Sequence, residues 1–381
     1  MKLFQKLIVA PAALGFLIPS TAFAEEIKLA DISNYSSSKE VKSISDFDPA
    51  EEIAVTNSRI DGLEAKFNDY EAGSFSETTS MKGKAQFLIG ATDTDSNEDE
   101  QLMFNYHWEI DLNTSFTGDD KLNVEFAAGS TSGDFTVGEL TGFGESQDEL
   151  KIEDLNYSFP LGGFDVGVGI SYDASKKWPN ACSYSQIVDK MDDCGAKNSV
   201  DLGGDSSLSV GYEFDNGWAF GFGISADDAE KDGKGAFTAE SDDFYGAAFG
   251  YEGDTYGLTV AYSNKEKDLV ATSYWGATAF WSPEAIGTFS GGIELGNPEN
   301  SNAETTQWVI GYTSDLGEGE IQLGVGTNGS IADGTDQQYV YELGYEYPLN
   351  DSTKIQSFVF IAEDNEDGDA TGAGVVTTFK F

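Results

Sequence analysis

Residues 164–173 read FDVGVGISYD. Phe164, Val166, Val168, Ile170 and Tyr172 share one parity, and Asp165, Gly167, Gly169, Ser171 and Asp173 share the other. Side chains of a β-strand point alternately to opposite faces, so this stretch is a strand with one apolar face and one small or polar face. QLMFNYHWEIDLN, residues 101–113, repeats the pattern. Leu102, Phe104, Tyr106, Trp108, Ile110 and Leu112 alternate with Met103, Asn105, His107, Glu109, Asp111 and Asn113. It returns in LSVGYEF, WAFGFGIS, YGLTVAY, FSGGIEL, IQLGVG and YVYELGYEY. The period predicts sixteen strands, starting near residues 82, 101, 120, 150, 164, 207, 218, 243, 255, 272, 286, 305, 320, 338, 353 and 371.

The connections between them alternate long and short. The long ones are TDTDSNEDE, 129–149, 174–206, 226–242, 264–271, GNPENSNAE, TNGSIADGTDQ and EDNEDGDA. The short ones are TGDD, PLGG, DNG, EGD, SPEA, DLGEG and LNDS. A β-sandwich has no reason to gather its long loops at one end. A transmembrane up-and-down barrel does, with short turns on one side of the membrane and long loops on the other. The fold expected for residues 80–381 is therefore an all-β antiparallel barrel of sixteen strands. Parity and direction place Tyr157, Phe159, Tyr212, Phe214, Trp218, Tyr251, Tyr256, Trp281, Tyr345, Tyr347 and Phe381 on the apolar face near the short turns, as an interfacial girdle.

The N-terminus reads as a secretory signal peptide over residues 1–24: MKLFQK, then the apolar run LIVAPAALGFLIPS, then Ala22-Phe23-Ala24 as the cleavage site. Its removal takes away Lys2 and Lys6 and no acid, which moves the formal charge from −46 to −48. Such a charge excludes a nucleic-acid partner, because nothing neutralises phosphates. No later apolar stretch is long enough to span a bilayer as a helix. Residues 25–50 form a polar linker. Ile53, Ile60 and Phe67, with Thr56, Leu63 and Tyr70 as a second seam, give heptad spacing over 51–73, ended by Gly73. That is a short coiled-coil helix, hence an oligomer, or one amphipathic helix packed on its own barrel.

Cys182 and Cys194 are the only cysteines of an exported chain, and their spacing suits a disulfide better than a zinc site. Closing so short a loop contributes about 3 kcal/mol in the chain-entropy account. His107 is the sole histidine, so a histidine-based metal cluster is excluded, and no cofactor is expected. TDTDSNEDE opens like a calcium loop with Asp93, Asp95 and Asn97, but lacks the sixth-position glycine and has Phe104 at position twelve. GVGTNG, 324–329, fits a glycine-rich nucleotide fingerprint in spacing only, because it follows a strand into a loop. A barrel hydrolase would need a serine–histidine pair on the lipid face, and His107 has lumen parity. A purely adhesive or structural barrel would need a plugged lumen, which sixteen strands make too wide for side chains to fill.

MKLFQKLIVAPAALG, the stretch SRIDGLEAKFNDYEAGSFSETTSMKGKAQFLIGA (58–91) and a barrel ending in an aromatic resemble cyanobacterial outer-membrane porins. These are related to the carbohydrate-selective porins, and some are labelled iron-uptake porins. The resemblance implies an outer-membrane location in a Gram-negative-type bacterium after Sec export. It also implies a homotrimer in contact with lipopolysaccharide, small hydrophilic solutes as cargo, and Phe381 as the signal read by the barrel-assembly machinery. ISDFDP (44–49) is similar to the opening of the surface-layer-homology domain of such porins, but AEEIAVTNSRIDGL follows at once, so wall anchoring by that domain is not expected. In general porins the third long loop folds into the barrel and narrows it. Here that is 174–206, which brings Lys176, Lys177, Trp178, Asp189, Lys190, Asp192, Asp193 and Lys197 to the expected constriction.

Strand parity places Glu109, Asp111, Glu125, Asp165, Asp173, Glu213, Glu294, Glu342 and Glu346 on the lumen face, opposed chiefly by Lys82, Lys84 and Lys380. The only arginine is Arg59. Rings of carboxylates favour cations, so the expected channel prefers K⁺ to Cl⁻. No aromatic run is evident at lumen parity, and sugar selectivity is therefore not implied by the residues themselves.

Overall fold

In the computed structural model the described residues are 78–94, 102–130, 148–227, 229, 231, 232, 235–238, 242–267, 270–299, 303–364 and 368–381. The signal peptide, the linker and the 51–73 helix lie outside them, as do the cores of the 92–100 and 129–149 connections.

The chain forms β1 (Thr79–Thr94), β2 (Met103–Thr114), β3 (Lys121–Gly129), β4 (Lys151–Leu161), β5 (Phe164–Ile170), β6 (Ser206–Glu213), β7 (Trp218–Ala226), β8 (Asp243–Glu252) and β9 (Tyr256–Lys267). There follow β10 (Val270–Trp281), β11 (Thr288–Pro298), β12 (Thr305–Leu316), β13 (Gly319–Thr327), β14 (Ile331–Ala332), β15 (Tyr339–Asn350), β16 (Thr353–Ala362) and β17 (Ala370–Lys380). The two-residue β14 lies in the β13–β15 connection and adds onto β12 through Thr306↔Ile331. The other sixteen make the wall, each pairing antiparallel with its neighbours. β1 closes the ring on β17 from Lys84↔Lys380 to Thr94↔Ala370. Closure leaves no free edge, which is the condition for strands to sit in hydrocarbon. The sixteen strands expected from periodicity are the sixteen observed, with starts displaced by at most three residues (82 expected, Thr79 found).

The connection expected over 264–271 is not a long loop. β9 runs to Lys267 and β10 begins at Val270, with Thr272↔Lys265 and Ala271↔Glu266 paired. The alternation of the two strands extends past the point where the sequence turns polar, and cross-strand pairing carries it.

The two faces differ as the parity requires. Outward side chains such as Phe104, Phe249, Leu258, Trp275, Ile293, Ile310, Leu343 and Ile361 are exposed and apolar. Near the short turns the outer face is aromatic. Trp218 stacks on Phe249 at 4.9 Å, Tyr212 meets Phe214 at 4.9 Å, and Trp281 lies 5.9 Å from Phe289. Tyrosine hydroxyls of this belt tie the turns down: Tyr345 donates to the Leu316 carbonyl, Tyr347 to Glu318, and Tyr157 to Asp120. Asp120 also accepts the Phe116 and Thr117 amides, and these donors hold its carboxyl well below the usual carboxylate range. Phe381 exchanges backbone hydrogen bonds with Gly83, and its ring lies where a Gly83 side chain would be.

Candidate functional site

The connection between β5 and β6, residues 171–205, runs inside the barrel along the inner wall and back. Outbound, the Lys177 amide donates to Ser209 on β6 (3.0 Å), the Ala181 amide to Thr259 on β9 and Thr278 on β10, and the Ser183 amide to Ser290 on β11 (3.0 Å). At the far end Glu342 on β15 receives the Tyr184 hydroxyl (2.6 Å) and the amides of Ile187 and Val188. Returning, the Lys190 carbonyl accepts Gln307 on β12. Glu294 on β11 accepts Asn198 (2.8 Å) and the Ser199 amide (2.6 Å), and Lys265 on β9 donates to the Asp201 carbonyl (2.8 Å). The return limb contains a 3₁₀ stretch, Asp189–Gly195, interrupted by non-helical backbone at Asp192, Asp193 and Cys194, and the short α1 (Lys197–Val200). Cys182 on the outbound limb is bridged to Cys194 on the return limb.

Apolar contacts seat the tip. Ile187, Val188 and Met191 pack with Leu88 (β1), Val340 (β15), Phe358 and Phe360 (β16) and Val376 (β17), all buried. These wall residues have lumen parity, so the expectation of a uniformly small and polar lumen fails here. The patch is greasy because the tip, not water, covers it.

Glycine marks the rest of the footprint. Trp178 lies against Gly221 and Gly246, where added Cβ atoms would sit 2.4 and 2.6 Å from its ring. At Gly311 a Cβ would fall 2.2 Å from Cγ of Tyr184, in the middle of the docked ring. Gly311→Val is expected to weaken docking by about 1–3 kcal/mol, or about five- to 150-fold in the docking equilibrium. Hydrogen exchange at the Ile187 and Val188 amides should accelerate accordingly while strand amides stay protected.

The nine acids expected on the lumen face divide by this docking. Glu294 and Glu342 are 1% and 4% exposed and are loop anchors, so they do not face the open lumen. Burial of these carboxyl groups is tolerated because several donors converge on each. Asp173 caps the loop's base through the Ser175 and Gly203 amides, and Asp165 pairs with Lys177 at 2.7 Å. Glu346 pairs with Lys354, and Glu213 is exposed at the short-turn end. The three that remain, Glu109, Asp111 and Glu125, lie together on β2 and β3.

Asp154 on β4 joins them, opposite Glu125, and was not among the expected acids. A bulge at Glu153 breaks the β4 alternation, so Ile152 and Leu155 both point outward. Counting back in twos from Asn156 and Ser158 was the signal that would have found it. This side of the wall is a polar ladder: Asn123 donates to Asp111 (2.8 Å) and Asn113, Asn156 donates to Asp154 (2.8 Å), and Glu109 pairs with Lys84 (3.0 Å) beside His107. A cavity of about 510 Å³ opens along Lys82, Lys84, Glu109, Asp111, Ser352 and Lys380.

The loop's own charges are largely used within it. Lys197 pairs with Asp189 (2.9 Å) and lies 3.8 Å from Asp192, which also accepts Gln186. Asp193 accepts Asn180, and Lys176 lies exposed at the outer limb beside a cavity of about 770 Å³. Burial, with Asp192 and Asp201 nearby, pushes the Asp193 carboxyl up to about 7. Burial and Asp173 raise Asp201 to about 6.

A closed sixteen-strand barrel with an apolar outside, a polar inside and one loop folded into the lumen is a porin-type barrel. Solved porins share it at low sequence identity. The chain is similar to the anion-selective porin from Comamonas acidovorans, with a TM-score of 0.57 and 13% identity over 80% of this chain and 99% of that one. It is similar to Pseudomonas putida OprB at a TM-score of 0.60 and 9% identity, over 80% and 94% of the two chains. No family model matches the sequence. The uncharacterized protein alr4550 of Nostoc sp. (strain PCC 7120 / SAG 25.82 / UTEX 2576) is 23% identical over 403 residues, covering 87% of this chain and 70% of that protein.

Proposed function

We propose that this protein is an outer-membrane porin, a water-filled channel for passive diffusion of small hydrophilic solutes and ions, with a mild preference for cations. The observation that carries the reading is the polar ladder of β1–β4. Lys84, Glu109, Asp111, Glu125 and Asp154 face the interior of the barrel, and clustered charges in a dry interior would cost far more than their partners return. They require water. The conducting path then runs between this ladder and the loop, and the loop is its constriction. The described inner faces of β2, β3 and β4 carry no Phe, Tyr or Trp, which favours ions and small polar solutes over a stacking sugar track. The similarity to porins, including an anion-selective one, supports the channel and leaves the sign of selectivity to this chain's own charges. Reconstitution into planar bilayers tests the reading: stepwise ohmic conductance supports it, and inserted protein without conductance would refute it.

Trimeric assembly, the barrel-assembly machinery and lipopolysaccharide as neighbours belong to the same proposal. Phe381 gives it a test. Phe381→Asp removes a ring from the β1–β17 seam and puts a charge at the membrane interface. Surface levels should fall to near zero, with the chain accumulating as a protease substrate in the periplasm. Unchanged surface levels would remove Phe381 from any role in assembly.

A further inference from the structure

On the outward side of the barrel, at the long-loop end of β5–β7, lies a cavity of about 390 Å³. Val168 and Ile170 on β5, Leu208 on β6 and Ile224 on β7 form its floor, and Ala236 and Phe237 of the β7–β8 connection form one wall. We infer that this recess is a lipid site that holds one acyl chain of an outer-leaflet lipid against the barrel, with Phe237 as its clamp. The inference rests on the outer-membrane reading above.

Three observations carry it. The wall is lowest here: β5, β6 and β7 have 7, 8 and 9 residues, against 12 in β9, β10, β12 and β15. The outward apolar residues from Phe164 to Ile170 cover six residue steps, about 20 Å along the strand and about 15 Å of height at an ordinary barrel tilt. The apolar band of such barrels is about 25 Å tall. A wall this short leaves hydrocarbon beside polar loops unless the bilayer thins or something apolar fills the gap.

Phe237 supplies that apolar surface. It is 63% exposed, and its backbone has φ +62°, a left-handed conformation that a bulky residue seldom adopts. The Asp243 carboxylate accepts its amide (2.9 Å), the Thr238 hydroxyl donates to the Gly235 carbonyl, and the Asp227 amide donates to the Asp242 carbonyl at the loop's base. The loop thus holds a largely exposed aromatic ring at the rim of the recess on the barrel's outer face.

The recess is continuous with the apolar belt. Val168 and Ile170 are exposed outward residues like those along the remaining strands, so whatever bathes the belt enters the recess. In a membrane that is hydrocarbon. A polar ligand finds no charged side chain among the cavity's lining residues.

The test is photolabelling of the full-length protein in liposomes of a phosphatidylcholine whose acyl chain carries a diazirine. Labelled peptides should be enriched several-fold at 164–170, 206–213 and 235–238 over the outward residues of β9–β12. Phe237→Ser should bring that enrichment down to the belt average, Phe237→Leu should retain it, and both variants should keep wild-type conductance. Even labelling around the barrel of a conducting protein would overturn the lipid site and leave the channel standing. Selective protection of 164–170 and 206–213 would also overturn it, by showing a second copy of the chain on this face. Protein that neither inserts nor conducts would remove the outer-membrane reading and this site with it.

Discussion

Excising the tip, residues 183–193, with Cys182 and Cys194 joined through a short glycine linker, raises single-channel conductance several-fold. The tip crosses to β15–β17 and β1, and its seat is built from the Glu342 anchor and the apolar patch of Leu88, Phe358, Phe360 and Val376. Nothing else among the described residues reaches that part of the inner wall from the loop. A lesser variant should act in the same direction. Glu342→Leu leaves the Tyr184 hydroxyl and the Ile187 and Val188 amides without their acceptor, a loss of roughly 1–3 kcal/mol for each buried group. Its channels should open to mixed conductance levels as the tip leaves and regains its seat. Unchanged conductance in a correctly inserted tip deletion would mean that the loop does not limit flow.

The second large effect is on selectivity. In a KCl gradient the wild-type reversal potential should show K⁺ passing more readily than Cl⁻, and the triple variant Asp111→Asn, Glu125→Gln, Asp154→Asn should abolish or invert that preference. The three acids share one side of the lumen with Glu109, whose charge Lys84 offsets. The loop lysines oppose them less than their number suggests, since Lys177 and Lys197 are already paired with Asp165 and Asp189. Salt screens charges over about 8–10 Å at physiological strength, so the preference should weaken as salt rises.

It should also depend on pH. Asp193 titrates near 7 and Asp201 near 6, above an ordinary aspartate, so both are largely protonated at pH 5 and gain charge between pH 5 and 8. Cation preference should therefore rise across that interval, and Asp193→Asn should flatten the rise. The sign for stability is opposite. The unfolded chain releases these protons near pH 4, the folded loop only near 6–7, so the docked loop loses stability as pH climbs through that window. Wild-type anion preference at every pH would mean that Lys176, Lys190 and Lys84 govern the narrow point instead.

Sequence periodicity carried the barrel because parity is a local property: each strand declares its own apolar face, as FDVGVGI does. Tyr172 leaves the outward row, because β5 ends at Ile170 and Ser171 at φ +50° turns the chain so that the ring is buried against Gly167 and Gly169. Loop lengths likewise showed which connection had the residues to enter the lumen. What parity cannot show is what covers the inner face. Glu294 and Glu342 have the same parity as Asp111, and only the path of a loop far away in sequence makes them anchors rather than channel charges. The alternating glycines of β6–β8 read as space for water, whereas Gly221 and Gly246 are space for Trp178. One signal was present. FVFIA at 358–362 is apolar at both parities, and a strand apolar on both faces announces that something packs inside as well as outside. Asp154 was hidden differently, by a bulge that shifts the count by one residue.

Thiol access tests directly whether the conducting path lies between the loop and the β1–β4 ladder. Single cysteines are placed at Asp111, on the open cavity, and at Thr278, 1% exposed beneath the Ala181 amide, with the native disulfide intact. A small charged methanethiosulfonate reagent is then added during single-channel recording. A stepwise fall in current is expected for Asp111→Cys and none for Thr278→Cys. Block at Thr278→Cys with Asp111→Cys unaffected would contradict this and put the path on the other side of the loop.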